Sequence, residues 1–254
     1  MHQETEVPLA TPHLRLVSTG EPAFADAAAS HVLAHDDEAW SLLLASIHKV
    51  RVGRLAYFFA GKRLIDVVCS LTLLALAWPF LVALVLAVRF DSPGGAIFRQ
   101  TRVGRGGKQF TVYKLRTMRT VAPGEELAFF QGEDGKVRHK VKGDPRVTRV
   151  GALLRKTSLD ELPQLINVLR GDMSLVGPRP ELPQIVQNYE PWQHRRHLVR
   201  PGITGWWQVS GRGDLPMHEN TGLDLHYVDN LSLGLDLRIL ARTVKITLKG
   251  IGAF

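Results

Sequence analysis

The chain has 254 residues and is 45% hydrophobic, which suits one large domain or two small ones with a packed core and excludes a disordered protein. Its formal charge of +8 at pH 7 favours an anionic partner: nucleic acid, anionic lipid or a phosphorylated small molecule. The single cysteine, Cys69, excludes an intramolecular disulfide framework and a cysteine-based zinc site, and it is compatible with a reducing compartment.

The first 60 residues are predicted to form an N-terminal extension. Residues 1–39 mix Ala, His, Pro and acidic side chains without a hydrophobic period, which is typical of a mobile tail. The chain begins with neither a basic n-region nor an apolar h-region, so no cleavable signal peptide is expected. Residues 40–59 are more apolar but include His48, Lys49 and Arg51, a pattern typical of an amphipathic segment on a surface.

An uncharged apolar run extends from Val67 to Val88 and has basic and acidic residues on both sides. At about 1.5 Å per residue, a straight helix of this length reaches roughly 33 Å, enough for a hydrocarbon core of about 30 Å. The run therefore predicts a membrane segment.

Pro79 near the middle of this run leaves two topologies open. A helix-interior proline removes a hydrogen bond and kinks the axis. If the chain turns back there, each arm is only about 18 Å long and cannot cross, and the basic flanks then share one side. The residues alone favour a kinked spanning helix, because proline occurs in such helices.

A β-hairpin is predicted next, with strands over residues 96–103 and 109–117 around the turn Gly104–Lys108. Basic residues recur between Arg99 and Arg119. They either solvate an exposed face of the hairpin or contact lipid headgroups.

The remaining elements are inferred from periodicity and from Pro and Gly positions. We predict a polar loop over 124–143, helices over 147–156, 162–170 and 184–197, an extended or turning stretch over 173–183, and a loop over 200–212. The last helix, 235–249, carries an apolar stripe flanked by Arg and Lys, which predicts either a membrane-interface helix or a cover for the soluble core. His194 and His197 flank two arginines, a pattern that indicates a solvated basic face.

Few residues are candidates for chemistry. The sequence has no HExxH, no EF-hand loop, no phosphate-binding glycine motif and no GxSxG. What remains is the pair Asp160 and Glu161, together with arginines held in Pro- and Gly-rich turns: Arg155, Arg179, Arg200 and Arg212. The planar guanidinium suits bidentate phosphate binding, so this set indicates a phosphate-handling site.

The acidic pair also has an ordinary interpretation, since Ser158 and Glu161 have capping-box spacing. A helix starting at Ser158, however, would place Pro163 where its missing N–H and its ring disrupt the next turn. Starting the helix at Asp160 places Pro163 in the first turn, where proline is tolerated. Asp160 is then expected to stay ionised at neutral pH, either as an N-cap or as a catalytic group beside a bound phosphate.

Five ordered segments resemble the bacterial sugar transferases, the monotopic phosphoglycosyl transferases. They are KRLIDVV, the apolar run with its proline, FRQTRVGRGGKQFTVYKLRTM, LRKTSLDELPQLINVLRGDMSLVGPRPE and RHLVRPGITGWWQVSGR. The similarity extends from about residue 62 to the C-terminus and is to the compact catalytic form of the family, with a short N-terminal extension. The family's helix break is often Ser-Pro, whereas this chain has Trp78 and Pro79 there, so different hydrogen bonds are expected to close the hairpin.

The resemblance implies a reaction in which a UDP-sugar gives its sugar 1-phosphate to undecaprenyl phosphate and releases UMP. By this resemblance Asp160 is the nucleophile that forms a phosphosugar-aspartyl intermediate, and Glu161 helps to bind Mg²⁺. The implied phosphate and nucleotide contacts are Arg155, Arg179 and Arg212, with Arg200, Thr204 and Lys114 as further candidates. A hexose donor, UDP-glucose or UDP-galactose, is expected.

The expected fold is mostly helical α/β, of the α+β type: a re-entrant membrane helix (61–91) after the extension (1–60), then a compact catalytic domain (92–254) with a small β-hairpin and amphipathic interfacial helices. The resemblance places that domain on the cytoplasmic face of the bacterial inner membrane, in contact with membrane lipids, with a homodimer as a further expectation. It implies the first step of exopolysaccharide, capsule or O-antigen assembly. The alternatives are a membrane-anchored nucleic-acid-binding protein, disfavoured because no nucleic-acid module is recognisable, and a non-catalytic regulatory homologue.

Overall fold

The computed structural model describes residues 61–119, 130–131, 137–138, 144–211 and 220–249. The predictions for the N-terminal extension, for most of the polar loop and for Arg212 lie outside these residues. In the described part the helices are α1 (Lys62–Asp91), α2 (Arg149–Thr157), α3 (Gln164–Arg170), α4 (Pro183–Val186), α5 (Trp206–Gly211), α6 (Thr221–Asp229) and α7 (Leu233–Lys249). The strands are β1 (Ile97–Val103), β2 (Gln109–Leu115), β3 (Phe130–Gln131), β4 (Val137–Arg138), β5 (Ser174–Val176) and β6 (Gly202–Thr204).

Helix α1 contains the apolar run and continues through Pro79 over 30 residues. Among the described residues it is the one helix long and apolar enough to cross a membrane. Its middle exposes large apolar side chains, among them Leu76 and Trp78, which are 75% and 62% exposed. A membrane segment is consistent with this surface. The re-entrant geometry stays a prediction.

Both ends of α1 are attached to the rest of the described fold. At the first end, Lys62 Nζ lies 2.5 Å from Asp236 Oδ2 of α7, and Ser174 Oγ donates to Asp66 Oδ1 at 3.0 Å. At the second end, Asp91 Oδ2 accepts from the Val150 amide at 3.0 Å. These contacts are polar and buried or partly buried, so they fix both helix ends on the same folded domain.

Strands β1 and β2 form the predicted antiparallel hairpin, with Ile97 opposite Leu115 and Val103 opposite Gln109. A short 3₁₀ turn joins them, and Gly106 and Gly107 in it have positive φ. The structure therefore confirms the predicted hairpin. Its turn depends on neighbouring residues, which is why the sequence predicts it.

The basic residues of the hairpin are less exposed than a solvated face requires. Arg116 is buried, and its guanidinium donates to the carbonyls of Val88, Ser92 and Pro93 at the end of α1. Arg102 is half-buried and donates to Pro180 O at 3.2 Å. Part of the basic set thus joins the hairpin to other elements by satisfying backbone acceptors.

Two predictions after the hairpin are wrong. The predicted helix 184–197 is divided into α4 and a 3₁₀ segment, Pro191–Leu198, because Pro191 cannot continue a helix hydrogen-bond ladder. The predicted loop 200–212 contains β6 and α5, and β6 pairs in parallel with β5. A Cβ on Gly202 would lie 2.1 Å from Gly177 N, so glycine here serves close strand approach rather than a flexible loop.

The main core lies between α3, β5 and the two C-terminal helices. Its buried members include Val168, Met173, Tyr227 and Ile239. A smaller cluster joins Val88, Ala96, Leu115 and Leu154, so the second end of α1 packs on the hairpin and on α2.

Helix α7 covers the core, as one of its two predicted roles requires, and its role at a membrane interface stays a prediction. Leu235 and Ile239 are buried in the main core, whereas Leu237 and Val244 are 56% and 59% exposed. One face therefore covers the domain and another presents apolar side chains outward.

Candidate active site

The acidic pair lies in a single 3₁₀ turn between two helices. Helix α2 ends at Thr157, and Ser158 adopts a left-handed conformation with φ 57°. Leu159–Glu161 then form the turn, and α3 begins at Gln164 with Pro163 as its N-cap. The expected helix start at Asp160 and the Ser158 capping box are wrong, because Ser158 reverses the chain before either can form.

The two carboxylates have different surroundings. Glu161 is only 7% exposed, whereas Asp160 is partly exposed. Arg179 Nη2 lies 2.6 Å from Glu161 Oε1, and Lys114 Nζ lies 3.3 Å from the same oxygen. Glu161 is therefore a buried, ion-paired carboxylate beside a more accessible one.

The surroundings of Asp160 disfavour its ionised form, whereas the sequence predicts that Asp160 stays ionised at neutral pH. Burial is the largest cause of the raised pKa of Asp160, and the adjacent Glu161 carboxylate raises this pKa further. Three cations act in the opposite direction: Lys114, Arg179 and Arg155. With α3 starting only at Gln164, the pKa of Asp160 is set by burial and these charges.

Arg155 reaches the pair from the last turn of α2. Its Nε donates to Thr117 Oγ1 at 2.9 Å, and the Asp160 and Asp144 carboxylates favour its charged form. Burial outweighs these carboxylates and lowers the pKa of Arg155 from its ordinary value. The side chain is thus tied to the end of the hairpin, on the side of Asp160.

Lys114 is positioned by a side chain that caps the edge of β2. Asn167 of α3 is fully buried, its Nδ2 donates to Thr111 O at 2.7 Å, and its Oδ1 accepts from the Tyr113 amide at 3.2 Å. A side-chain amide therefore replaces a neighbouring strand at this edge. It holds β2 against α3 and brings Lys114 next to Glu161.

Arg179 belongs to a turn held by two other arginines. Arg196 Nη2 donates to Arg179 O at 2.6 Å and lies 2.7 Å from Asp224 Oδ2. Arg102 donates to the next carbonyl, Pro180 O, and burial, together with the charge of Arg179, lowers the pKa of Arg102 to about 10. The Gly-Pro-Arg-Pro segment is thereby fixed with the Arg179 side chain directed at Glu161.

These supporting residues were not identified from the sequence. Arg196 and His197 are 2% and 5% exposed, so the predicted solvated basic face is wrong there. The partner of Arg196, Asp224, comes from α6, an element that was also not predicted. A buried ion pair between distant residues leaves no local signal.

The other predicted site residues have different positions. Thr204 is buried at the end of β6 and shares a hydrogen bond of 2.7 Å with Thr243 of α7. Arg200 donates to Gly171 O at 2.9 Å, and its charged neighbours are Arg105, Arg63 and Asp66. The contacts of Arg200 thus belong to the end of α3, not to the acidic pair.

The side chains near the acidic pair limit which metal ion the site can hold. Within the part of the chain that the structure describes, no three His, Cys, Asp or Glu side chains come together. The adjacent carboxylates of Asp160 and Glu161 are too few for a structural zinc site. They fit Mg²⁺, which takes one or two carboxylates and fills its shell with substrate oxygens and water.

A family model described as "Bacterial sugar transferase" matches residues 57–250. The chain belongs to the bacterial sugar transferase family. This match includes the acidic pair, Lys114, Arg155 and Arg179.

Curated members of the bacterial sugar transferase family resemble the chain closely. A Caulobacter vibrioides protein named "UDP-glucose:undecaprenyl-phosphate glucose-1-phosphate transferase" is 46% identical over 191 residues, 72% of this chain and 68% of the relative. A Salmonella typhimurium protein named "Undecaprenyl-phosphate galactose phosphotransferase" is 44% identical over 199 residues, 76% of this chain and 41% of the relative. A Rhizobium leguminosarum bv. phaseoli protein named "Exopolysaccharide production protein PSS" is 43% identical over 194 residues, 72% of this chain and 92% of the relative.

The chain spans less than half of the Salmonella relative but most of the Rhizobium one. Its similarity to the bacterial sugar transferases therefore covers the part of the family that contains α1, the hairpin and the acidic pair. The family expected from the motifs is confirmed.

Proposed function

We propose that this chain is a phosphoglycosyl transferase that moves a sugar 1-phosphate from a UDP-sugar to undecaprenyl phosphate and releases UMP. The observation that carries the proposal is the partly exposed Asp160 beside the buried, ion-paired Glu161, with cations from three separate elements directed at the pair. The name of the Caulobacter relative supports the same donor and acceptor classes, and the name of the Salmonella relative supports the same acceptor.

In the first step the Asp160 carboxylate attacks the phosphorus that carries the sugar. A bond forms between a carboxylate oxygen and that phosphorus, and the bond from the phosphorus to the bridging oxygen breaks. The bridging oxygen departs on UMP with the electron pair. Three cations, Lys114, Arg155 and Arg179, stabilise the charge that develops on the phosphate oxygens.

In the second step a phosphate oxygen of undecaprenyl phosphate attacks the same phosphorus. The bond to Asp160 breaks, the free carboxylate is restored, and the product is a polyprenyl diphosphate sugar. The two substrates can therefore use one site in turn, which suits a soluble donor and a lipid acceptor.

Glu161 would hold Mg²⁺, which neutralises phosphate charge when bound. Glu161 also places Arg179 and Lys114, since both contact its carboxylate. The same residue would thus hold the metal and position two cations of the site.

The cellular setting follows from α1 and the substrates. A UDP-sugar is a cytoplasmic metabolite, so the catalytic domain faces the cytoplasm of the bacterial inner membrane, and α1 enters and leaves on that face. Both helix ends contact the one domain, which supports this re-entrant path. The role is the first step of exopolysaccharide or capsule assembly, with a hexose as the sugar.

The test is Asp160→Asn. We expect UMP release from UDP-glucose and UDP-galactose to fall by about 10³-fold or more, because the amide is a poor nucleophile. Asp229→Asn is the matched control: this carboxylate is half exposed in a surface ion pair with Arg195, and its loss should leave activity unchanged. Full activity in Asp160→Asn, with membrane association retained, would exclude the nucleophile assignment.

A further inference from the structure

An open cavity of about 270 Å³ borders Glu161 of the acidic pair. Its lining residues come from α1, α3, α5 and α7 and from the turn that carries Glu161. Its apolar lining includes Leu73, Leu162, Leu165, Val209, Leu240 and Ile246. None of these apolar residues has a role in the chemistry described above.

The lining of the cavity combines polar and apolar side chains. Ser158 and Glu161 of the acidic turn belong to it. So does Leu73, which is 47% exposed on the apolar surface of α1. The cavity thus borders both the turn that carries the acidic pair and the apolar surface of α1.

Two of the polar side chains that line the cavity are hydrogen-bonded to each other. Thr204 and Thr243 both line it, and their hydroxyls share a hydrogen bond. Paired hydroxyls leave mainly their methyl groups for contact, so the wall favours an apolar occupant.

We propose that this cavity holds the first isoprene units of the polyprenyl phosphate acceptor, with the phosphate at the Glu161 end and the rest of the chain leaving past Leu73 into the membrane. The proposal rests on the proposed function. An occupant with one anionic end and one linear apolar end fits this lining, because Glu161 is paired with Lys114 and Arg179 and most other lining residues are apolar.

The cavity would position the polyprenyl phosphate acceptor and would add little to its affinity. Lipid tails are as apolar as leucine, so moving an isoprene unit from bilayer to cavity has little driving force. Fixing the first units, however, fixes the direction from which the phosphate approaches Asp160. A displacement of about 1 Å can reduce a rate by about 10²-fold.

Filling the cavity tests this role. In Ile246→Trp an indole occupies the space, and Val244→Trp is the matched control, because Val244 is 59% exposed on the same helix and does not line the cavity. Two quantities are measured: the burst of UMP without acceptor, and the rate of sugar-phosphate transfer when undecaprenyl phosphate is then added.

We expect the ratio of the transfer rate to the UMP burst to fall at least about tenfold in Ile246→Trp and to stay at the wild-type value in Val244→Trp. An unchanged ratio in Ile246→Trp would overturn the cavity assignment. Absence of a UMP burst in the wild-type protein would instead contradict the proposed function, so the two failures are distinguishable.

A second measurement does not depend on catalysis or on the tolerance of a tryptophan. Ile246→Cys and Val244→Cys are made with Cys69→Ser, which removes the only other thiol. In phosphatidylglycerol vesicles, added undecaprenyl phosphate should slow maleimide labelling at position 246 severalfold and leave position 244 unaffected. Equal labelling of position 246 with and without undecaprenyl phosphate would also count against the cavity.

Discussion

At the scale of single residues, the ionised carboxylates of Glu161 and Asp160 have opposite effects on the stability of the fold. Glu161 is paired with Arg179 and Lys114, so its charge is compensated in the fold. Asp160 has a pKa raised by burial and by Glu161, so its ionised form is disfavoured in the fold. The sequence shows two adjacent acids, and the environment gives them different tasks.

The raised pKa of Asp160 predicts a pH-dependent stability difference. A carboxyl whose pKa is higher folded than unfolded stabilises the fold at low pH, and this contribution is lost as pH rises through the folded pKa. Asp160→Asn should therefore unfold at a higher temperature than the wild-type protein at neutral pH. The difference should shrink as pH falls toward the ordinary carboxyl range, as measured by thermal unfolding in detergent.

Glu161→Gln is the counterpart of that experiment and should lower the stability of the fold at neutral pH. It leaves Arg179 and Lys114 facing a neutral amide, which costs about 1–3 kcal/mol of unfolding free energy. If Asp160→Asn lowered stability at neutral pH as Glu161→Gln does, the assigned direction of the Asp160 pKa would be wrong.

At the scale of secondary structure, the approach of α2 to the hairpin determines where Arg155 lies. Gly151 faces the end of the hairpin so closely that a Cβ there would lie 2.1 Å from Thr117 O. Arg155, one turn later on α2, donates to the side chain of the same threonine. Glycine is therefore required for close packing, not for backbone flexibility.

Gly151→Ala should push α2 away from the hairpin. We expect a loss of about 1–3 kcal/mol in stability from overpacking and a reduced rate of UMP release as Arg155 moves. Gly222→Ala in α6 is the control, because nothing lies within 4 Å of its added Cβ, and alanine there should be neutral or stabilise by up to about 1 kcal/mol. Thermal unfolding and UMP assays of both variants check this, and equal behaviour of the two would refute the packing argument.

At the scale of the whole molecule, the attachment of both ends of α1 to one domain has a topological consequence. Lys62 pairs with Asp236, and Asp91 accepts from the Val150 amide, although 28 residues of apolar helix and its flanks lie between these anchors. A domain on one side of a bilayer can hold both ends only if the helix returns to that side.

Cysteine labelling measures this directly. With Cys69→Ser, single cysteines at Leu64 and Phe90, which are 65% and 86% exposed, should react with a membrane-impermeant maleimide from the same face of oriented vesicles. A cysteine at Leu76 should be protected from both faces. Labelling of the two end positions from opposite faces would show that α1 spans the membrane.

The sequence by itself determined the local features: the apolar run with Pro79, the hairpin with its glycine turn, the helices around the acidic pair, and the family. Periodicity and turn chemistry decide these over a few residues, so they can be read without partners. Two predictions of secondary structure were wrong. Pro191 divides the predicted helix 184–197, and Gly202 belongs to a strand instead of the predicted loop.

Only the tertiary structure decided which cations surround the acidic pair. Lys114 lies 47 positions before Glu161 and Arg179 lies 18 positions after it, and both contact the same carboxylate. Their positions depend on buried contacts made by Asn167 and Arg196, and the segment with Arg196 was predicted to be a solvated face. A buried polar group is stable only beside its partner, and that partner is set by the packing of distant elements rather than by neighbouring residues.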